Sequence, residues 1–304
     1  QRIAPGQQQH DRQLLDEACF MGTADPSDVQ ISADGTRKYL FAVKNAKYIE
    51  SVYIPEPERS TLCLSSQVGC KMGCTFCMTG KQGFLGNLTP GEIVNQVFSL
   101  PERENLTNYV FMGMGEPLAN TENLLKSLEI MTSSYGLGIG SSRITVSTIG
   151  ILPGLEEILN KSRCHLAVSL HSPFDSERAG MMPVEKAFPI KRVVEYLKQS
   201  VNDRQRKISF EYIMFKGIND TPRHINGLKR LLNGLRCRIN LIRYHPVPGV
   251  PYESSDEETI RWLKNRLNEK GLLTTVRASR GKDIFAACGM LSTARKLTEN
   301  ANGI

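Results

Sequence analysis

From Ser60 to Ala278 the chain repeats one pattern, a short apolar run followed by an amphipathic stretch of helical period. Strand signals read at Ser60–Ser66, Asn108–Met112, Arg143–Ser147, His165–Leu170, Lys207–Phe215 and Arg238–Tyr244, with a last β-rich stretch at Leu273–Ala278. Helix signals fall between them at Thr121–Ser133, Leu155–Lys161, Pro189–Val201, Pro222–Leu232 and Asp256–Glu269, the last closed by Gly271. An earlier helix opens on Thr89-Pro90-Gly91-Glu92, with Thr as N-cap, Pro at the first helical position and Glu completing a capping box. Alternating strands and helices predict parallel βαβ units. Their number favours an α/β fold built as an incomplete (βα)6 barrel over a doubly wound sheet. With 304 residues, 40% of them hydrophobic, the chain is long enough for that single core.

Such a barrel gathers its chemistry beyond the C-terminal ends of its strands. There the sequence turns polar and glycine-rich. The exits are the cysteine loop after the first strand, Gly113-Met-Gly115-Glu116-Pro117 after the second, Ser147-Thr148 after the third, Ser169-Leu170-His171 after the fourth, and His245-Pro-Val-Pro after the sixth. They predict one active site at one barrel mouth. Polar strand ends also cap strands, and a lone His171 would ordinarily satisfy a core hydrogen bond; its place at a strand exit favours the site.

The cysteine loop reads Cys70-Lys-Met-Gly-Cys74-Thr-Phe-Cys77. Three thiolates at this spacing suit three irons of a [4Fe–4S] cluster and leave the fourth iron open to a small molecule. A zinc knuckle with Cys63 as fourth ligand is the competing reading, although zinc sites usually pair cysteines on two short arms. Eight cysteines without an N-terminal apolar signal segment suit reduced thiols, metal ligands or redox chemistry, hence a reducing cytoplasm. No apolar run is long enough to span a membrane. The net charge of +7 and pI near 9.0 favour a phosphate-rich partner such as nucleic acid, although most of the basic residues near strands read as solvated helix faces.

Taken together, Tyr53-Ile-Pro, Cys63-Leu-Ser-Ser-Gln-Val-Gly-Cys70, Gly113-Met-Gly-Glu-Pro-Leu, Val146-Ser-Thr, Val168-Ser-Leu-His171 and Ala286-Ala-Cys288-Gly resemble the radical S-adenosylmethionine (SAM) RNA methyltransferases of the adenine-C2 type. The resemblance runs from about Asp34 to Ala294. It implies a radical-SAM barrel over residues 49–296, ending in a catalytic-cysteine loop. Residues 1–48 would be a truncated N-terminal accessory segment, since members usually carry a helical N-terminal domain, and 297–304 a flexible tail. It implies a [4Fe–4S] cluster on Cys70, Cys74 and Cys77, and two SAM per turnover. Gly115, Glu116, Ser147, Ser169, Leu170, His171 and His245 would contact SAM, His245 standing where many relatives have Asn.

Catalysis would rest on Cys288, Cys63 and Glu50. In the family the first thiol is methylated, the resulting methyl loses a hydrogen and joins adenine, and the second thiol resolves the adduct as a Cys63–Cys288 disulfide. Glu50 matches the proposed acceptor of the C2 proton. The implied partners are 23S rRNA, tRNA and a flavodoxin-type reductant, with a monomeric enzyme. Two alternatives stay open, adenine-C8 methylation of 23S rRNA and a non-catalytic zinc-bound RNA-binding module; Pro117 leans toward C2. Glycine-bounded Gly281–Gly289 predicts a mobile loop around Cys288. Cys19, Cys164 and Cys237 read as small apolar residues or surface thiols. Gly136–Gly140 reads as a helix-to-strand turn, because it precedes its strand.

Overall fold

The computed structural model describes residues 23–201 and 206–293. Cys19 and the expected tail lie outside the described residues. Among those described, ten strands form one sheet. It opens with an antiparallel ribbon, β1 (Asp28–Ile31), β2 (Arg37–Val43) and β3 (Lys47–Glu56), continuing to β4 (Arg59–Cys63). From β4 onward every pairing is parallel, through β7 (Asn108–Phe111), β8 (Ile144–Thr148), β9 (His165–Ser169), β10 (Ile208–Met214), β11 (Arg238–Arg243) and β12 (Thr274–Val276). The sheet order β1-β2-β3-β4-β7-β8-β9-β10-β11-β12 leaves both edges unjoined, as in a partial barrel. A separate hairpin, β5 (Gln67–Gly69) with β6 (Phe84–Asn87), frames the cysteine loop.

The helices are α1 (Met78–Gln82), α2 (Pro90–Phe98), α3 (Thr121–Thr132), α4 (Leu152–Lys161), α5 (Asp175–Met181), α6 (Ile190–Ser200), α7 (Pro222–Leu232) and α8 (Glu257–Glu269). The capping box at Thr89 forms as read: Glu92 N donates to Thr89 Oγ1 at 3.3 Å and Thr89 N to Glu92 Oε2 at 2.8 Å. A cap of this kind is worth about 1 kcal/mol. Helix α2 then buries Ile93, Val94 and Val97 against the sheet. The Gly136–Gly140 stretch is the turn read from sequence, with Leu137 N and Ile139 N donating back to Ile130 O and Met131 O.

Strand β10 shows how the interior is made. Successive side chains of a strand point to opposite faces. Ile208, Phe210, Tyr212 and Met214 enter the main core beneath the helices. Ser209, Glu211 and Ile213 face the other way, onto internal cavities. In β8, Ile144 and Val146 are fully buried in the core while Thr145 and Ser147 line cavities. One face of the sheet thus holds the fold together and the other surrounds space. Residues 28–43, assigned from sequence to an accessory segment, belong to this same sheet, and the expected 48/49 boundary falls inside strand β3.

Candidate active site

Cys63 ends β4, and the chain turns through β5 into the cysteine loop. Gly69 (φ +70) is required there, since a Cβ would lie 1.7 Å from Gly83 O. The loop is tied down by Cys70 N to Gly83 O at 2.9 Å, Thr75 N to Met181 O at 3.0 Å and Cys77 N to Cys74 O at 3.2 Å. Burial pushes the Cys70 thiol up to about 12, and the neighbouring charges of Cys77 and Glu116 add to it. Burial likewise raises Cys74, helped by Cys77 and Cys70. The three sulfurs therefore converge in a dry place that disfavours bare thiolates.

Opposite them, the Gly113–Pro117 exit of β7 presses against β4 and β5. A Cβ on Gly113 would meet Leu64 O at 2.7 Å, and one on Gly115 (φ +101) would meet Gln67 Cβ at 2.6 Å. Glu116 behind them is 3% exposed. Its carboxylate accepts from Thr148 Oγ1 at 2.6 Å, Ile149 N at 2.9 Å and Leu118 N at 3.1 Å. Burial still outweighs these bonds and pushes its pKa up to about 7. A buried carboxylate so placed suits an arriving cation.

His171 takes a left-handed backbone (φ 56) at the exit of β9. Ile213 N donates to its Nδ1 at 3.0 Å, which leaves the proton on Nε2. Burial and then the Arg178 charge lower its pKa to about 3, so the ring is neutral. Asn219 holds this turn, its Nδ2 donating to His171 O and Ile213 O, both at 2.7 Å. Arg178, fully buried, donates to Leu170 O at 3.1 Å, Ile149 O at 2.8 Å and Ser169 O at 3.0 Å, and pairs with buried Glu185. Neither Arg178 nor Asn219 carries a motif in the sequence.

A cavity of about 150 Å³ brings together Cys70, Cys74, Cys77, Gly115, Glu116, Ser147, Ser169, His171 and Cys288. Leu170 is not on its wall; its side chain is buried and its N–H is bound to Glu211 O. A second cavity of about 530 Å³ runs down the barrel interior past Thr61, Thr145 and Ser209, and includes His245. Cys288, Arg277, Glu211, Met112 and Ile242 lie on both walls. A larger hollow of about 1000 Å³ near the ends of α3 and α4 is lined mainly by charged and polar surface residues, away from the thiols.

Cys63 and Cys288 are both free thiols, and each lies within the electrostatic reach of Arg277. Burial and then the Cys288 charge push Cys63 up to about 12, with Arg277 opposing. Arg277 in turn holds its proton more tightly, chiefly because of Cys288. The segment around Cys288 is a loop, as read, yet it is pinned on both sides. Asp34 Oδ2 accepts Gly281 N at 3.0 Å, Asp283 accepts Ser32 Oγ at 2.5 Å, and Met78 N donates to Gly289 O at 2.8 Å. Glu50 lines neither cavity. Its carboxylate pairs with Lys38 Nζ at 3.0 Å and accepts Ser292 N at 2.9 Å, and burial raises its pKa.

Residues 64–225 match the radical SAM superfamily. The chain is 56% identical to the "Probable dual-specificity RNA methyltransferase RlmN" of Parabacteroides distasonis, covering 94% of this chain and 84% of that protein. It is 44% identical to the "Dual-specificity RNA methyltransferase RlmN" of Syntrophus aciditrophicus over 92% of this chain and 82% of that one. The chain belongs to the RlmN family of radical SAM RNA methyltransferases. A radical SAM methyltransferase structure from Sphaerobacter thermophilus superposes with a TM-score of 0.87 at 37% identity, covering 96% of this chain and 86% of that chain. SAM-bound SuiB of Streptococcus suis shares the fold at 15% identity and a TM-score of 0.56.

The family's cofactors are a [4Fe–4S] cluster and SAM, and the residues fit both. Three thiols that burial raises, with Cys77 adding to Cys70 and both adding to Cys74, suit the positive charge that iron would supply. Buried Glu116 has no cation among the causes that set its pKa, and a SAM ammonium could supply one. The zinc-knuckle reading gains no support: Cys63 lies by Cys288 and Arg277 and does not line the cavity that holds Cys70, Cys74 and Cys77. A cubane instead asks each thiolate for a separate iron.

Proposed function

We propose that this enzyme methylates C2 of adenine in 23S rRNA, at a peptidyl-transferase-centre adenosine, and in tRNA, at the adenosine 3′ of the anticodon. The observation that carries the reading is the proximity of Cys63 to Cys288 beside one guanidinium, with Cys288 on the cavity wall that it shares with Cys70, Cys74 and Cys77. A methyltransferase that only passed a methyl group directly from SAM would need neither thiol. The dual-specificity names of the relatives support two RNA substrates.

Cys70, Cys74 and Cys77 would hold the cluster, and Gly115, Glu116, Ser147, Ser169 and His171 would hold SAM. Leu170 would contribute through its backbone, and His245, on the interior cavity, would act at the substrate end. When bound, these groups supply a methyl group and, on one-electron reduction, hydrogen abstraction. Cys288 Sγ takes the methyl as its S–C bond forms and the donor's sulfonium–methyl bond breaks; a second SAM is used for the abstraction. The Cys288-bound carbon radical would then add to C2; the adduct would lose the C2 proton to a base and one electron, which the oxidised cluster would take back. Cys63 attacks Cys288 Sγ next. The S–S bond forms, the S–C bond breaks with its pair going to carbon, and that carbon takes a proton to complete the methyl group. Arg277 favours the thiolate at each sulfur in turn.

Glu50 is the proposed base, and its raised proton affinity suits that role. Its carboxylate is reached once Ser292 releases it, four residues from Cys288. A flavodoxin-type donor, a monomer and a cytoplasmic setting complete the reading, because the proposed chemistry calls for low-potential electrons and reduced thiols. No helix among the described residues is long and apolar enough to cross a membrane. The test is mass spectrometry of rRNA and tRNA after anaerobic incubation with SAM and a reductant. Methyl at adenine C2, lost in Cys288→Ala, is expected. Methyl at C8 would transfer the chain to the other regiochemistry.

A further inference from the structure

Glu211 stands where the two cavities meet. On β10 it is the deepest residue touching the cluster cavity, while Ser209 below it faces only the barrel interior. It is 4% exposed. Its Oε1 is satisfied, accepting Asn240 Nδ2 at 2.7 Å and Ser209 Oγ at 3.0 Å. Its Oε2 has no hydrogen-bond partner among the described residues. The nearest cation, Arg277 Nη1, stands 3.7 Å away and spends a proton on Met112 Sδ at 2.8 Å. A buried carboxylate oxygen without a donor is costly to a fold, and such groups persist where a ligand supplies the donor. The same walls carry Cys288, which must reach the substrate base.

We propose that Glu211 Oε2 accepts the exocyclic amino group of the substrate purine, selecting adenine, with Arg277 holding the carboxylate toward Cys288. This deepens the function proposed above and rests on its adenine substrate. A 6-oxo purine would set its carbonyl oxygen against the carboxylate and be rejected. A purine without the amino group would leave Oε2 as unpaired as it is now.

The experiment compares the cluster-loaded wild type, Glu211→Gln and Glu211→Ala on two RNA hairpins, one with adenosine and one with purine riboside at the target. Three quantities are read: kcat/KM, equilibrium RNA affinity, and SAM affinity without RNA. Wild type should favour adenosine on the order of 10²-fold or more in kcat/KM, as sites built around a substrate N–H do. Glu211→Ala should shrink that preference to a few-fold while SAM affinity stays unchanged. The near-isosteric Gln, whose carbonyl still accepts, should fall between and guards against loss of the fold. The intrinsic reactivity difference between the two bases cancels in the comparison of variants. An undiminished preference in Glu211→Ala overturns the proposal, as does a loss confined to SAM affinity, which would assign Oε2 to a SAM hydroxyl. Should wild type turn over neither RNA, the functional reading fails by itself, and the RNA affinity ratios still decide for or against Glu211.

Discussion

The strand-end wall around Glu116, His171 and Arg178 is fixed by buried polar side chains, whereas the Cys288 segment opposite it is fixed mainly by side-chain ties along its edges. In the first region Arg178 bonds three carbonyls from two strand exits and Asn219 bonds two more, all out of water. In the second, Asp34, Asp283 and Glu50 hold backbone or hydroxyl groups of the segment or its neighbours, and Asp283 is open to solvent. Buried networks are lost only with the fold, while exposed hydrogen bonds exchange readily with water. A cofactor cradle would need the former, and under the proposed mechanism the Cys288 thiol, meeting a methyl donor, a base and a second thiol in turn, would need the latter.

The sharpest way to break this contrast is Arg178→Met, which leaves Glu185 charged and unpaired in the core. Denaturant unfolding should show a loss of about 3–5 kcal/mol, with SAM binding lost as well. A loss below about 1 kcal/mol would mean the wall does not depend on this network.

Glu50→Gln tests the other side. Removing a general base should slow RNA methylation by about 10²- to 10⁴-fold while methylation of Cys288 itself continues. If both reactions survive, Glu50 is a strut for Ser292 and nothing more.

A smaller effect comes from pH. Glu116 titrates near 7 in the SAM-free enzyme, above its usual 4.5, because burial penalises its charge. Its protonated form has lost the negative charge that attracts an ammonium, so SAM affinity should fall up to tenfold per unit as pH drops below about 7. The same shift has a stability sign. Its contribution is fully present below pH 4.5 and is lost as pH rises through about 7, so SAM should protect against unfolding more at pH 8 than at pH 5. Equal protection at both would contradict the assignment of Glu116.

The smallest expected change is kinetic. Replacing Asp34 and Asp283 together by Asn should quicken iodoacetamide alkylation of Cys288 several-fold in the metal-free protein, with the Cys74 rate unchanged, as followed by peptide mass mapping. Equal acceleration at both thiols would erase the distinction between the walls.

Much of the parallel half was legible because each strand is an apolar run between turn signals, and the cysteine loop stood out because its spacing has few other uses. The β2–β3 hairpin was not. Its connection, Lys44-Asn45-Ala46, places Asn45 (φ 63) and Ala46 (φ 52) in the left-handed region, where Asn-Gly would have announced the turn. Glu211 was missed for a related reason. A polar residue alternating with apolar ones reads as a solvent face. Only the closure of helices and sheet around β10 makes that face an interior. Arg178, on a short helix beyond β9, bonds the exits of two strands, which no local pattern reveals. The thiol segment was read correctly as a loop, but its ties come from residues more than 200 positions away, such as Asp34 and Glu50, which no local pattern reveals.

The division of labour between Cys288 and Cys63 is tested most directly with Cys63→Ala. The cluster-loaded variant is incubated anaerobically with SAM, reductant and substrate RNA, digested, and mapped by mass spectrometry. The Cys288 peptide should carry an adenine nucleotide joined through one methylene carbon, because the thiol that releases the product is gone. Free methylated RNA at the wild-type rate, with Cys288 unmodified, would contradict the two-thiol mechanism.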